Sequence, residues 1–188
     1  MVSNLILSVV VFLLIALIFY GVAVYNGLVT VKNNVSKAWS NIDVLLKQRH
    51  DELPKLVAVC ERYMKHEAET LERVIKARAL SQGAGTVEER ENAEGFLKEA
   101  LKSLFAVSEK YPELKADERF AQLQRRVTEL ESEIADRREF YNESVNVYNI
   151  RIEKFPDVLV ANMLHLLPRS LWKAPMGELS DAGVKFSY

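Results

Sequence analysis

The stretch "LLKQRHDELPKLV", residues 45–57, decides how the chain folds, because it either turns the chain or lets one helix run on. It gathers Arg49, His50, Asp51, Glu52 and Lys55 around Pro54 among residues of helical character. Proline fixes φ, lacks an N–H, and disfavours helical geometry at the residue before it, here Leu53. Asp51 is of a type that caps a following helix. The local reading is a polar turn closing a first helical hairpin, not a catalytic or metal cluster.

Upstream of that turn, no residue from Met1 to Val31 is charged, and "LILSVVVFLLIALIFYGVAVY" (5–25) is almost wholly apolar. A bilayer core about 30 Å thick needs about 20 helical residues at 1.5 Å rise each, so this segment is long enough to span. A cleaved signal would want a basic residue before a shorter apolar run, and "MVSN" supplies none. Residues 1–4 are then a short non-cytoplasmic end. After the span come Lys32, Lys37, Lys47 and Arg49, with no acid before Asp43. The positive-inside rule places the amino end outside and the long remainder in the cytoplasm.

Beyond the span the apolar period is helical. Leu28, Val31, Val35, Ala38, Ile42, Leu45 and Arg49 step by three and four, a coiled-coil-like seam continuous with the span and widened by Trp39 and Leu46. A second run uses Leu56, Val57, Cys60, Tyr63, Met64, Leu71, Val74, Ile75 and Arg78, and ends at Gly83 and Gly85. Thr86 with Glu89 reads as a capping box for a third run whose inward face is Ala93, Phe96, Leu97, Ala100, Leu101, Leu104 and Phe105. That run closes near Tyr111 and Pro112. From about Asp117 to Lys154, Phe120, Leu123, Val127, Leu130, Ile134, Arg137, Tyr141, Ser144, Tyr148, Arg151 and Phe155 keep a heptad register, with Val145 and Ile152 replacing its later polar positions.

These patterns predict an all-α fold: an N-terminal transmembrane helix continuing into an elongated antiparallel four-helix bundle over 26–155. The alternative is a three-helix array in which the first two runs form one long kinked helix. Composition agrees with long helices, since 188 residues hold only 7 Gly and 5 Pro. Lys plus Arg number 25 and Asp plus Glu 26, so no basic excess argues for nucleic acid.

"YNGLVTVKNNVSKAWSNIDVLLKQRHDELPKLV" (25–57), "YMKHEAETLERVIKAR" (63–78), "AVSEKYPELKADERFAQLQ" (106–124) and "YNESVNVYNIRIEKFP" (141–156) resemble the LemA family, in order and across most of the chain. Within "DELPKLV", Glu52, Leu53 and Lys55 depart from the family's usual D-L-I-P-N-L-V pattern. The resemblance implies a single-span protein of the bacterial inner membrane carrying a four-helix bundle. It carries over no catalytic residue and no cofactor.

A search for chemistry from the residues themselves leads the same way. His50, His66 and His165 lie far apart, and "KHEAE" (65–69) lacks the second histidine that a zinc-binding helix needs four residues on. Cys60, with His50 or His66 as a base, invites a nucleophile reading, but it falls on the inward face, where cysteines act as small apolar residues. Neither a metal nor a catalytic set is expected. The residues carried by the resemblance, Tyr25, Asn26, Trp39, Ile42, Asp43, Arg49, Pro54, His66, Glu67, Tyr111, Pro112, Phe155 and Pro156, read instead as packing or interface positions.

The carboxyl end, 156–188, begins with "DVLVANMLHLLPRSLWKAP" (157–175), too short and interrupted to span but apolar enough to lie at a membrane interface or against a neighbouring subunit. Four helices run up and down would return it to the bilayer. "GELSDAGVKFSY" (177–188) reads as mobile or extended. Two function classes fit: a non-enzymatic, self-associating membrane scaffold that recruits partners, and a sensory or regulatory module signalling along its continuous helix. The expected partners are the lipid bilayer, further copies of the chain, and unidentified membrane or cytoplasmic proteins.

Overall fold

Pro54 does not turn the chain. In the computed structural model, which describes residues 2–173, helix α1 runs from Val2 to Tyr63 with Pro54 inside it. Pro54 is exposed, whereas Leu53, Leu56 and Cys60 are wholly buried, so the apolar stripe passes straight through the proline on the other side of the helix. A mid-helix proline costs about 3 kcal/mol. Burying a leucine is worth about 1.5–3 kcal/mol, so Leu53 and Leu56 together offset that cost.

A specific contact removes part of the penalty. Pro54 has no N–H to give the carbonyl four residues back, that of His50. The Arg78 guanidinium donates to this oxygen instead, Nε to O 2.9 Å. Asp51 therefore caps nothing and lies exposed in mid-helix.

The reversal comes about ten residues later, at Met64–Glu67, where the Glu67 amide donates to the Met64 carbonyl at 3.0 Å. Helix α2 (Ala68–Gly83) comes next, then α3 (Val87–Ser108), a short α4 (Pro112–Ala116), α5 (Glu118–Glu153) and α6 (Asp157–Met163). The expected second run is thus divided between the end of α1 and α2. The predicted capping box is formed: Glu89 N donates to Thr86 Oγ1 at 3.1 Å and Thr86 N to Glu89 Oε2 at 3.0 Å. The described residues form an all-α chain without strands, compatible with the four-helix reading.

The chain divides into two compact units. Among the described residues, one comprises 2–40 and 140–171, the other 41–139 with 172 and 173. In the second unit Leu53, Leu56, Cys60 and Met64 share a core with Leu71 and Val74 of α2, Leu97, Leu101 and Leu104 of α3, Leu114 of α4, and Phe120 and Val127 of α5. Four expected core positions are exposed: Ile75, Phe96, Arg137 and Phe155. Ala77 on α2 and Glu94 on α3 are buried beside the expected Leu71, Val74, Ala93, Leu97, Leu101 and Leu104.

On α5 Val145 and Ile152 take the places of Ser144 and Arg151 as expected, and the shift has a geometric cause. Its buried line reads Val127, Leu130, Ile134, Tyr141, Val145, Tyr148 and Ile152, while Phe155 is 74% exposed. A straight helix drifts about 20° per heptad from a strict seven-residue repeat. Over more than three heptads the inward face moves nearly one residue, from 144 and 151 to 145 and 152.

In the first unit, α1 is exposed and apolar from Leu5 to Tyr20, then buried at Val24 and Leu28. Among the described residues it is the one helix long and apolar enough to cross a membrane. Trp39 packs on Tyr141, ring centroids 5.3 Å apart. The chain after α6 is held along α5 by side chains: Tyr148 Oη donates to the Leu167 carbonyl and Tyr141 Oη to that of Ser170, both at 3.1 Å. Asn149 makes a reciprocal pair of 2.9 Å bonds with the Arg169 backbone. The expectation for 177–188 falls outside the described residues.

Candidate functional site: a buried charge network

Arg49 continues the apolar stripe of α1 and is 1% exposed. A guanidinium cannot be buried there without anions, because desolvating an unpaired charge costs several kcal/mol. Glu94 of α3, 4% exposed, supplies one carboxylate: Arg49 Nη2 lies 2.6 Å from each of its oxygens. Glu131 of α5 supplies the second, accepting from Arg49 Nη1.

Glu94 takes two further bonds. Ser81 Oγ of α2 donates to its Oε1 at 2.6 Å, and Arg138 Nη2 of α5 to its Oε2 at 2.7 Å. A carboxylate has about four lone-pair sites, and these bonds use all of them. The two arginines balance the two glutamates. Burial works against ionising Glu94, but the charge and hydrogen bond of Arg49, the Ser81 hydroxyl and the charge of Arg138 outweigh it and hold the carboxyl below the usual range. Burial likewise opposes the Arg49 charge, yet Glu94 and Glu131 raise its pKa above the ordinary arginine value.

His50 closes the chain, with Nε2 3.0 Å from Ser81 Oγ. Since the Ser81 proton points at Glu94, His50 must donate Nε2–H to the serine oxygen. Burial, then the neighbouring Arg49 charge, pushes the imidazole pKa below its ordinary value, so the ring is neutral at physiological pH. Beside the network Arg90 pairs with Asp43, and Arg138 stacks over the Trp172 ring with its guanidinium carbon 4.6 Å from the centroid.

This arrangement joins α1, α2, α3 and α5 through one carboxylate, with no lone pair left to take a substrate proton or a metal. Buried networks of this kind can set which helix faces meet. No group of three His, Cys, Asp or Glu side chains that could hold a metal occurs among the described residues. The Cys60 thiol is buried and pushed up to about 12 by that burial and by Glu61, which keeps it protonated.

Of the residues singled out in the sequence, Arg49 and His50 lie within the network, with Asp43 at its edge. Ile42 is wholly buried, Trp39 half-buried, and Tyr25, Asn26, Pro54 and His66 exposed. Glu67 accepts from Tyr111 Oη at 3.1 Å, tying the first turn to the approach to α4, with Pro112 as that helix's first residue. Phe155 is exposed and joined to Pro156 by a cis peptide bond.

Glu94, Glu131, Arg138 and Ser81 were not anticipated. Glu94 had a signal: it lies three residues before Leu97 and seven before Leu101, on the apolar stripe, as Arg49 does in its own helix. A buried cation on one stripe calls for an anion on another.

Over 64 residues the chain is 39% identical to magnetosome protein MamQ 2 and to magnetosome protein MamQ 1 of Paramagnetospirillum magneticum, covering 34% of this chain and 24% of each relative. It therefore matches about a quarter of the length of these relatives. A family model described as the LemA family matches residues 38–186, from just before the Arg49 stripe of α1 through the segment after α6. The chain belongs to the LemA family.

Proposed function

We propose that the protein is a non-enzymatic, single-pass membrane scaffold that self-associates and recruits partners. The observation that carries this is α1 itself: one 62-residue helix, exposed and apolar at its start, then built into a helical core crossed by a buried charge network. In this reading residues 5–25 cross the inner membrane, residues 1–4 lie outside, and the helical body is cytoplasmic. A second apolar face supports self-association. Phe140, Val147 and Ile150 are 47–55% exposed on the side of α5 opposite its buried line, where further copies of the chain would cover them.

The test is the size of the full-length protein in a mild detergent by light scattering. A defined oligomer is expected, dissociating at least tenfold more readily when Val147→Glu and Ile150→Lys are introduced together. A monomer at all concentrations would refute the scaffold.

A regulatory module signalling along the helix is the second reading, favoured by the continuity of α1 through Pro54. Each residue inserted between Leu28 and Val35 rotates the downstream part of the helix by about 100°. Signalling would be disrupted by that rotation, whereas a scaffold would tolerate it.

A further inference from the structure

Arg151 marks where the end of α5 meets the exit of the apolar segment. Its Nη1 donates to the Gly27 carbonyl at 3.3 Å and its Nε lies 3.5 Å from Oδ1 of Asp157, the first residue of α6. The approach is close because Gly27 lacks a side chain: a Cβ there would lie 2.1 Å from Arg151 Nη2. One side chain thus pins the start of α6 beside α1, two residues after the stretch 5–25.

The segment pinned there is unusually apolar on its outside. Leu159 and Met163, one turn apart on α6, are 58% and 79% exposed, and Phe155 and Leu167 on either side are 74% and 76% exposed. Ala161 faces inward, and the Tyr148 and Asn149 bonds hold the following chain in place. Four large apolar side chains held outward at the level where a spanning helix leaves the hydrocarbon would sit in the interfacial layer, where apolar groups gain by burial a few ångströms deep. Exposed Lys154 beside them suits an anionic headgroup.

We infer that α6 with its flanking residues is a membrane-docking foot, which inserts Phe155, Leu159, Met163 and Leu167 into the lipid interface next to the α1 span. This rests on the reading of residues 5–25 as a transmembrane helix. The foot gives the protein a second, peripheral contact with the same leaflet.

Full-length protein carrying a single nitroxide label at Met163→Cys, Leu159→Cys, Leu14→Cys or Glu129→Cys is reconstituted into phosphatidylcholine vesicles containing phosphatidylglycerol. Cys60 is fully buried and should take no label. Collision with oxygen, which concentrates in lipid, is compared with collision with a water-soluble nickel chelate. Labels at 159, 163 and 14 are expected to favour oxygen at least fivefold more than the label at 129. If 14 is lipid-facing but 159 and 163 behave like 129, the foot is wrong and the span stands. If 14 is itself aqueous, the span reading fails. Labels at 159 and 163 shielded from both reagents would mean that protein covers the patch, which also overturns the foot.

Discussion

The His50 carbonyl can be given or denied a donor from two independent directions, and that makes the path of α1 testable. Arg78→Met removes the guanidinium whose Nε lies 2.9 Å away, leaving the oxygen that Pro54 cannot satisfy without either partner. A hydrogen bond from a charged donor is worth about 1.5–3 kcal/mol, so a loss of about 2 kcal/mol is expected in the native background. For a chain of this size each kcal/mol moves Tm by about 2–4 °C, giving a fall of about 4–8 °C. Pro54→Ala restores the missing N–H, and the ordinary helical bond then serves His50. In that background Arg78→Met should cost under about 0.5 kcal/mol, for a coupling of about 1.5 kcal/mol. The four proteins are compared by thermal unfolding in detergent, followed by far-ultraviolet circular dichroism. An equal fall in both backgrounds would show that Arg78 does not substitute for the proline's missing donor.

The charge network yields two further expectations. Glu94→Gln leaves buried Arg49 and half-buried Arg138 facing one glutamate and should cost about 3–5 kcal/mol, whereas exposed Glu129→Gln should change stability by less than about 0.5 kcal/mol; thermal unfolding of both variants checks this. His50 and Glu94 both have lowered pKa values in the folded chain, so each adds stability above its unfolded value that is lost as pH falls toward its folded one. For His50 the loss should begin near the ordinary histidine value, about 6.5, and for Glu94 below about 4.3. Tm measured from pH 7.5 to 5 should therefore fall less in His50→Gln than in the native protein, and parallel curves would contradict the neutral, serine-bound imidazole.

The apolar segment 5–25, the all-helical character, the capping box at Thr86 and Glu89 and the family were all legible in the residues, because each rests on local composition, short-range spacing or matching blocks. Arg49 was visible as a charge on an apolar stripe. Its partners were not, since Glu94 and Glu131 lie 45 and 82 positions away and nothing local pairs them. The turn failed for the same reason. Read locally, Pro54 and Asp51 end a helix, but the opposite face of that helix buries Leu53 and Leu56, and an arginine from α2 caps the stranded carbonyl. Although the reversal moves to Met64–Glu67, Arg151 near the end of α5 meets Gly27, two residues after the apolar segment. Local chemistry alone thus determined the kinds of element and most of their inward faces. Where the first helix ends, and which buried charges meet, depended on burial and hydrogen bonds between segments far apart in sequence, and those terms exist only once the helices have packed.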